Sequence, residues 1–164
     1  AATVFQKAGA APVSMSISDV FTSLEKGVID AADASAYINN STSGFHQVAT
    51  NPLYPGIHSM AIRQFTINKG VWDGLTDNQR VVLETWFYAA YDDLRRQLDL
   101  QDKQQVQADV AGGEINVINW PQAERDKFRA IAAEAWEETA AKSPAAREAL
   151  DAHYDFMRKV GLLK

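Results

Sequence analysis

The sequence predicts a mixed α/β fold with a parallel-rich sheet and long helices toward the carboxyl end. Three observations predict it. The first thirty residues switch between helical and extended patterning in the order α, β, α, β, and such alternation favours a parallel sheet covered by helices. Residues 57–68 form a run with β-branched and aromatic side chains at Ile62, Phe65, Thr66 and Ile67, the composition of a strand. Beyond Thr76 the pattern becomes helical and stays so for most of the remaining chain.

Val4, Phe5 and Ala8 share one face of an opening helix that ends near Gly9, and residues 12–15 alternate as a short strand. The segment SDVFTSLEKGVIDAAD, residues 18–33, is the most informative stretch. Val20, Phe21 and Leu24 fall on one helical face, Ser18 suits an N-cap, and Gly27 suits a left-handed closing residue. Val28 and Ile29 then open an apolar run that ends in the small Ala31 and Ala32, where something can approach the backbone. Residues 39–44, NNSTSG, read as a polar loop or capped turn, residues 45–49 as one helical turn, and residues 69–75 as a short helix.

Thr76 and Gln79 make a capping box, in which each side chain satisfies an amide near the other. The helix it opens repeats Val82, Trp86, Ala90, Leu94 and Leu98 every four residues and ends at Gly112–Gly113. At this length it would extend about 54 Å, so a bend or a crossing between lobes is expected. Its second half is mostly polar and is either largely solvated or packed only through Val106 and Val110. Glu114–Ile118 is a further strand candidate. Pro121 opens a helix with a stripe through Phe128, Ile131 or Ala132, Ala135 or Trp136, and Thr139, and Ser143–Pro144 starts the last helix, whose face carries Leu150, Tyr154 and Met157.

The net charge is −5, which argues against nucleic-acid binding, because phosphate neutralisation needs clustered Lys and Arg. No cysteine is present, so disulfides and thiolate metal sites are excluded. No apolar run approaches the roughly 20 residues that cross a bilayer. The opening AATVFQKAGAAP reads as the middle of a helix without a secretory signal, and the chain is expected to be a piece of a longer protein.

No catalytic constellation stands out. His46, His58 and His153 lack metal-ligand spacing, and neither a nucleophile elbow nor a phosphate-binding loop occurs. No metal and no cofactor are expected, and the chain is expected not to be an enzyme. The pairs Asp92–Asp93 and Glu137–Glu138 read as solvated helical faces. Trp86 and Trp136 read as core anchors. Arg63 reads as an outward side chain on a half-exposed strand.

The segments GAAPVSMSISDVFTSLEKGVIDAAD, GFHQVA (residues 44–49) and VWDGLTDNQRVVLE, in this order, resemble the DctP-type solute-binding proteins of tripartite (TRAP) transporters, in their carboxyl-terminal half only. The resemblance is close over residues 1–90 and looser over 91–164. It implies a fragment of a type II periplasmic-binding-protein-like fold. Residues 1–56 would be a ligand-lobe segment, 57–120 a return to the other lobe with the long helix, and 121–164 the carboxyl-terminal helices. It implies a periplasmic receptor that captures a small organic acid, a carboxylate, and delivers it to the TRAP membrane permease subunits for uptake driven by an ion gradient. The family's carboxylate-binding arginine precedes the segment at which this chain starts, so it maps to no residue here.

The family's second contact follows the acidic residue of GVIDAAD. Here that position is Ala34, after Asp33, and its loss of polarity leaves Ser35, Tyr37 and Asn39 to take over. His58, Ser59 and Met60 are further candidates for the cleft wall, His58 either as a donor to a carboxylate or as a cap at a strand end. With no acidic residue between Gly56 and Ile67, a bridging cation is unsupported. The alternative reading is a non-catalytic helical interaction or dimerisation module that pairs through residues 76–112, and a homo-oligomer is compatible with both.

Overall fold

The computed structural model describes residues 1–57 and 64–163. Among the described residues the regular structure is helical: α1 (Ala2–Lys7), α2 (Ile17–Glu25), α3 (Tyr37–Thr42), α4 (Phe45–Val48), α5 (Lys69–Asp73), α6 (Asp77–Gly112), α7 (Gln122–Ala140) and α8 (Pro144–Lys159). They belong to two compact units, one of residues 1–16 and 120–164, the other of residues 17–119.

The predicted α/β class, with its parallel-rich sheet and type II binding-protein layout, is overturned. Among the described residues no strand forms, and extended pairing is limited to one parallel bridge between Leu53 and Ile118. Around it, the Asn116 amide donates to the Thr50 carbonyl and the Ile118 amide to Pro52. A strand exists only where a neighbour accepts its ladder, and these segments have other uses for their amides. Val28 and Ile29 show this best. Gly27 takes a left-handed φ of 64°, its amide donates to Leu24, and the Val28 amide reaches back to Ser23 at 2.8 Å. That is a Schellman closure of α2, so the amide that would begin a strand instead finishes a helix, and Val28 is left 72% exposed. Val13, in the other expected strand, is also exposed. At the end of the 57–68 run, Asn68 Oδ1 accepts from the Gly70 and Val71 amides and so caps α5; residues 58–63 of that run lie outside the described residues.

Several helix boundaries also move. Helix α2 begins at Ile17, which places Ser18 inside its first turn and not at its cap. Pro121 is itself the N-cap of α7. The polar NNSTSG stretch is not a loop, because residues 37–42 form α3. The two strongest caps stand where the sequence puts them: the Thr76–Gln79 box opens α6, and Ser143 Oγ accepts from the Ala146 amide at the start of α8.

In the unit of residues 17–119, α3 packs on both α4 and α6, and α2 packs on α4. Its buried residues are Val20, Tyr37, Phe45 and His46. Gly44 joins α3 to α4 at φ +80°, and a Cβ there would lie 3.2 Å from the Phe21 ring, so both conformation and space select glycine. Arg80 ties α5 to α6: it donates to the Trp72 and Asp73 carbonyls at 3.2 and 3.1 Å while its guanidinium lies over the Trp72 ring. The expected apolar stripe of α6 does not form a core. Val82 and Trp86 are more than half exposed, and Leu94 is exposed too. A four-residue repeat places side chains on one face, but burial requires an element to lie across that face.

In the unit of residues 1–16 and 120–164, α7 packs against α1 and α8. Buried alanines at 132, 135 and 140 let backbones approach closely, and Phe128 meets the rings of Phe5 and Trp120, each at 5.7 Å between centroids. Trp136 is half-buried, 6.4 Å from the Tyr154 ring. Lys7 pairs with Glu138 at 2.6 Å, and Arg147 bridges Glu137 and Asp151 at 2.5 and 2.7 Å.

Candidate functional site

The segment from Asp30 to Ser35 leaves α2 and reaches α3 without regular structure. Asp33, Ala34 and Ser35 are exposed along it. Ser35 begins a local network in which its Oγ accepts from Asn39 Nδ2 at 3.0 Å and its carbonyl accepts from Asn40 Nδ2 at 3.0 Å. Those bonds fix the entry to α3, since both amides reach back across its first turn. Asn39 lines an open groove of about 570 Å³ with Ile38 and Thr42 of α3 and Gln101, Gln104, Gln105 and Ala108 of α6. Carboxamides dominate that lining. They offer both donors and acceptors without charge, which suits a small polar solute.

Tyr37 is placed differently from its exposed neighbours. It is buried, and its hydroxyl donates to Asp109 Oδ2 at 2.6 Å. Burial first, and the bond to Asp109 second, push its phenol well above the ordinary value. Of the predicted site residues, Asp33, Ala34, Ser35, Tyr37 and Asn39 therefore follow one another closely, but Asn39 is the one that lines the groove. His58, Ser59 and Met60 lie outside the described residues.

Sequence reasoning missed the acidic residues that hold α3. Asp102 Oδ1 accepts from the Ile38 amide at 2.8 Å, so an acid from α6 satisfies a free amide at the start of α3. Asp109, seven residues on and thus on the same helical face, receives Tyr37 at one oxygen and Gln105 Nε2 at the other, at 2.7 Å. His46 of α4 is 7% exposed, and its Nδ1 stands 3.6 Å from Asp109 Oδ2. The Tyr37 ring meets His46 edge-on at 4.5 Å and Tyr54 at 5.5 Å. Burial lowers the imidazole's affinity for a proton, and the nearby Asp109 only partly restores it. The available signal was the seven-residue spacing of Asp102 and Asp109 within a helix otherwise read as solvated.

A second groove, of about 450 Å³, lies among Phe65, Ile67, Trp72, Leu83, Glu84, Phe87 and Tyr88. Phe65 meets the rings of Trp86 and Phe87 at 5.4 and 6.0 Å. Among the described residues no group of three or more His, Cys, Asp or Glu side chains is placed to hold a metal ion. No helix among them is long and apolar enough to cross a membrane.

Residues 1–143 match the family described as bacterial extracellular solute-binding protein, family 7 (DctP). The crystal structure of a TRAP periplasmic solute-binding protein from Rhodobacter sphaeroides, in an apo open state, superposes with a TM-score of 0.78 at 38% sequence identity. The alignment covers 98% of this chain and 51% of that one, so the chain spans about half the length of that relative. The expected restriction of the likeness to a carboxyl-terminal half, strong only to residue 90, is corrected: the family match runs through α6 and α7 to residue 143. Polar helices carry few local motifs, which is why the likeness looked looser there than it is. The chain belongs to family 7 of the bacterial extracellular solute-binding proteins, a periplasmic family whose members bind without catalysis.

Proposed function

We propose that this chain acts as a non-catalytic helical module of a TRAP-type solute-binding protein and associates with a second copy through α6. The observation that carries this reading is an apolar row on α6 made by Val82, Trp86 and Leu100, which share one helical face and are each more than half exposed. A row of that kind on a helix is compatible with solution only when it is small or covered. The test is light scattering after size exclusion. A dimer is expected, and Trp86→Glu together with Val82→Glu should return a monomer. A monomer of the unaltered chain at all concentrations overturns the reading.

A second reading, solute capture, is supported by the family and by the carboxamide groove. In it a small organic acid is held near Asp33, Ala34, Ser35, Tyr37 and Asn39, with His58, Ser59 and Met60 as further contacts, and is passed to the membrane permease subunits of a TRAP transporter. Asn39 is the residue best supported for direct contact, because it lines the groove. Calorimetry of the natural gene product against keto acids, dicarboxylates and sugar acids tests it. Binding that weakens in Asn39→Ala is expected, and silence across the panel overturns it.

A further inference from the structure

The Tyr37–His46–Asp109 cluster joins three elements through a single carboxylate. Tyr37 comes from α3, His46 from α4 and Asp109 from α6, and the first and last are 72 residues apart. Asp109 is itself mostly enclosed, its side chain 11% exposed. Both of its oxygens are engaged, Oδ2 by the Tyr37 hydroxyl and Oδ1 by Gln105. His46 Nδ1 is buried and makes no hydrogen bond; at 3.6 Å it faces the oxygen that Tyr37 already occupies. A neutral imidazole fits this site as a ring packed on a ring. A protonated one is disfavoured, because its charge is enclosed and burial costs it more than Asp109, at 3.6 Å, returns.

We propose that this cluster is a proton-sensitive latch: with His46 neutral it seals α3 and α4 on α6, and protonation of His46 releases them. The groups around His46 favour this behaviour. Helix α3 presents the Tyr37 hydroxyl and ring, and α6 presents Asp109, with Asp102 two turns earlier engaged at the Ile38 amide. Helix α2 turns Phe21 toward Gly44 at the head of α4; its titratable residues are Asp19 and Glu25. Asp109 is the charged group that acts on the imidazole, and burial outweighs it. The folded form therefore holds the His46 proton less tightly than the unfolded chain does. The stability this contributes is complete above the ordinary histidine value of about 6.5 and is lost as the pH falls below it. The latch also governs the segment bearing Ser35 and Asn39, since α3 is held through the same contacts. It rests on the burial of His46 and its unbonded Nδ1 beside Asp109, and it holds under either functional reading.

Hydrogen exchange at pH 7.5 and 5.5, corrected for the intrinsic rates, tests it on the whole chain. Protection of residues 37–48 should fall severalfold at the lower pH while α7 is unchanged. In His46→Phe, which keeps an aromatic ring and removes the proton, the protection of that segment should be equal at both pH values. A pH-dependent loss that persists in His46→Phe overturns the latch, as does equal protection at both pH values in the unaltered chain. Should that variant fail to fold, a nuclear magnetic resonance titration of the unaltered chain decides. A His46 midpoint below about 6.5 supports the latch, and one at or above that value overturns it.

Discussion

The two units hide their interiors by different means. In residues 1–16 and 120–164 the seal is steric: alanines at 132, 135 and 140 permit close approach, and the rings of Phe5, Trp120 and Phe128 fill the remaining space. In residues 17–119 the seal is polar: Asp102 and Asp109 of one long helix hold a short helix by its backbone amide and its tyrosine. Dispersion and close packing do not titrate, whereas a buried carboxylate with an imidazole beside it does. The difference teaches where each unit is vulnerable. The first should respond to side-chain volume and hardly to mild acid, the second to the loss of single polar groups and to the proton.

The comparison breaks most readily at Asp109. Asp109→Ala removes the acceptor of the buried Tyr37 hydroxyl and should destabilise the unit of residues 17–119 by about 3 kcal/mol, read as a drop in exchange protection of α3. Asp109→Asn keeps an acceptor and should lose less. Equal stability of the alanine variant would mean that the polar seal is ornamental. Next in size, Ala135→Leu overfills the contact made by α7 and should cost about 2 kcal/mol, seen as a lower urea midpoint with an unchanged slope. An unchanged midpoint there would deny the steric seal.

At the start of α6, Thr76→Ala breaks the capping box and should cost about 1 kcal/mol, measurable as faster exchange over the first turn. Smaller again is the effect of acid. Below pH 6.5 the unit holding His46 should lose stability while the other unit keeps it, because the folded site disfavours the His46 proton. Loss of stability in both units together would erase the contrast between them. Smallest of all, Arg147→Met removes exposed ion pairs to Glu137 and Asp151 and should leave the thermal midpoint nearly unmoved.

Much of the helical content can be read from particular residues. Thr76 with Gln79, Ser143 ahead of Pro144, Gly27 and Gly113 mark boundaries through local bonds between a side chain or amide and a group three to five residues away. Such bonds need no distant partner, so sequence suffices for them. The candidate site was legible in part: Ser35 and Asn39 can be picked out as polar residues beside an alanine-rich bend, and they do interact with each other.

Everything that depends on a partner remote in sequence was settled by the tertiary structure. Val28 and Ile29 look like a strand until the Ser23 carbonyl claims their amides. Trp86 looks like core, yet among the described residues it meets the Phe65 ring and stays more than half exposed. The acceptor of the Tyr37 hydroxyl, Asp109, stands 72 residues away. By itself the sequence determined where α6 and α8 begin, where α2 closes and which family the chain resembles, because those are written in short-range chemistry and in order along the chain. Which faces are buried, which acids hold α3, and whether any sheet forms were decided by packing, because burial and pairing belong to two segments at once.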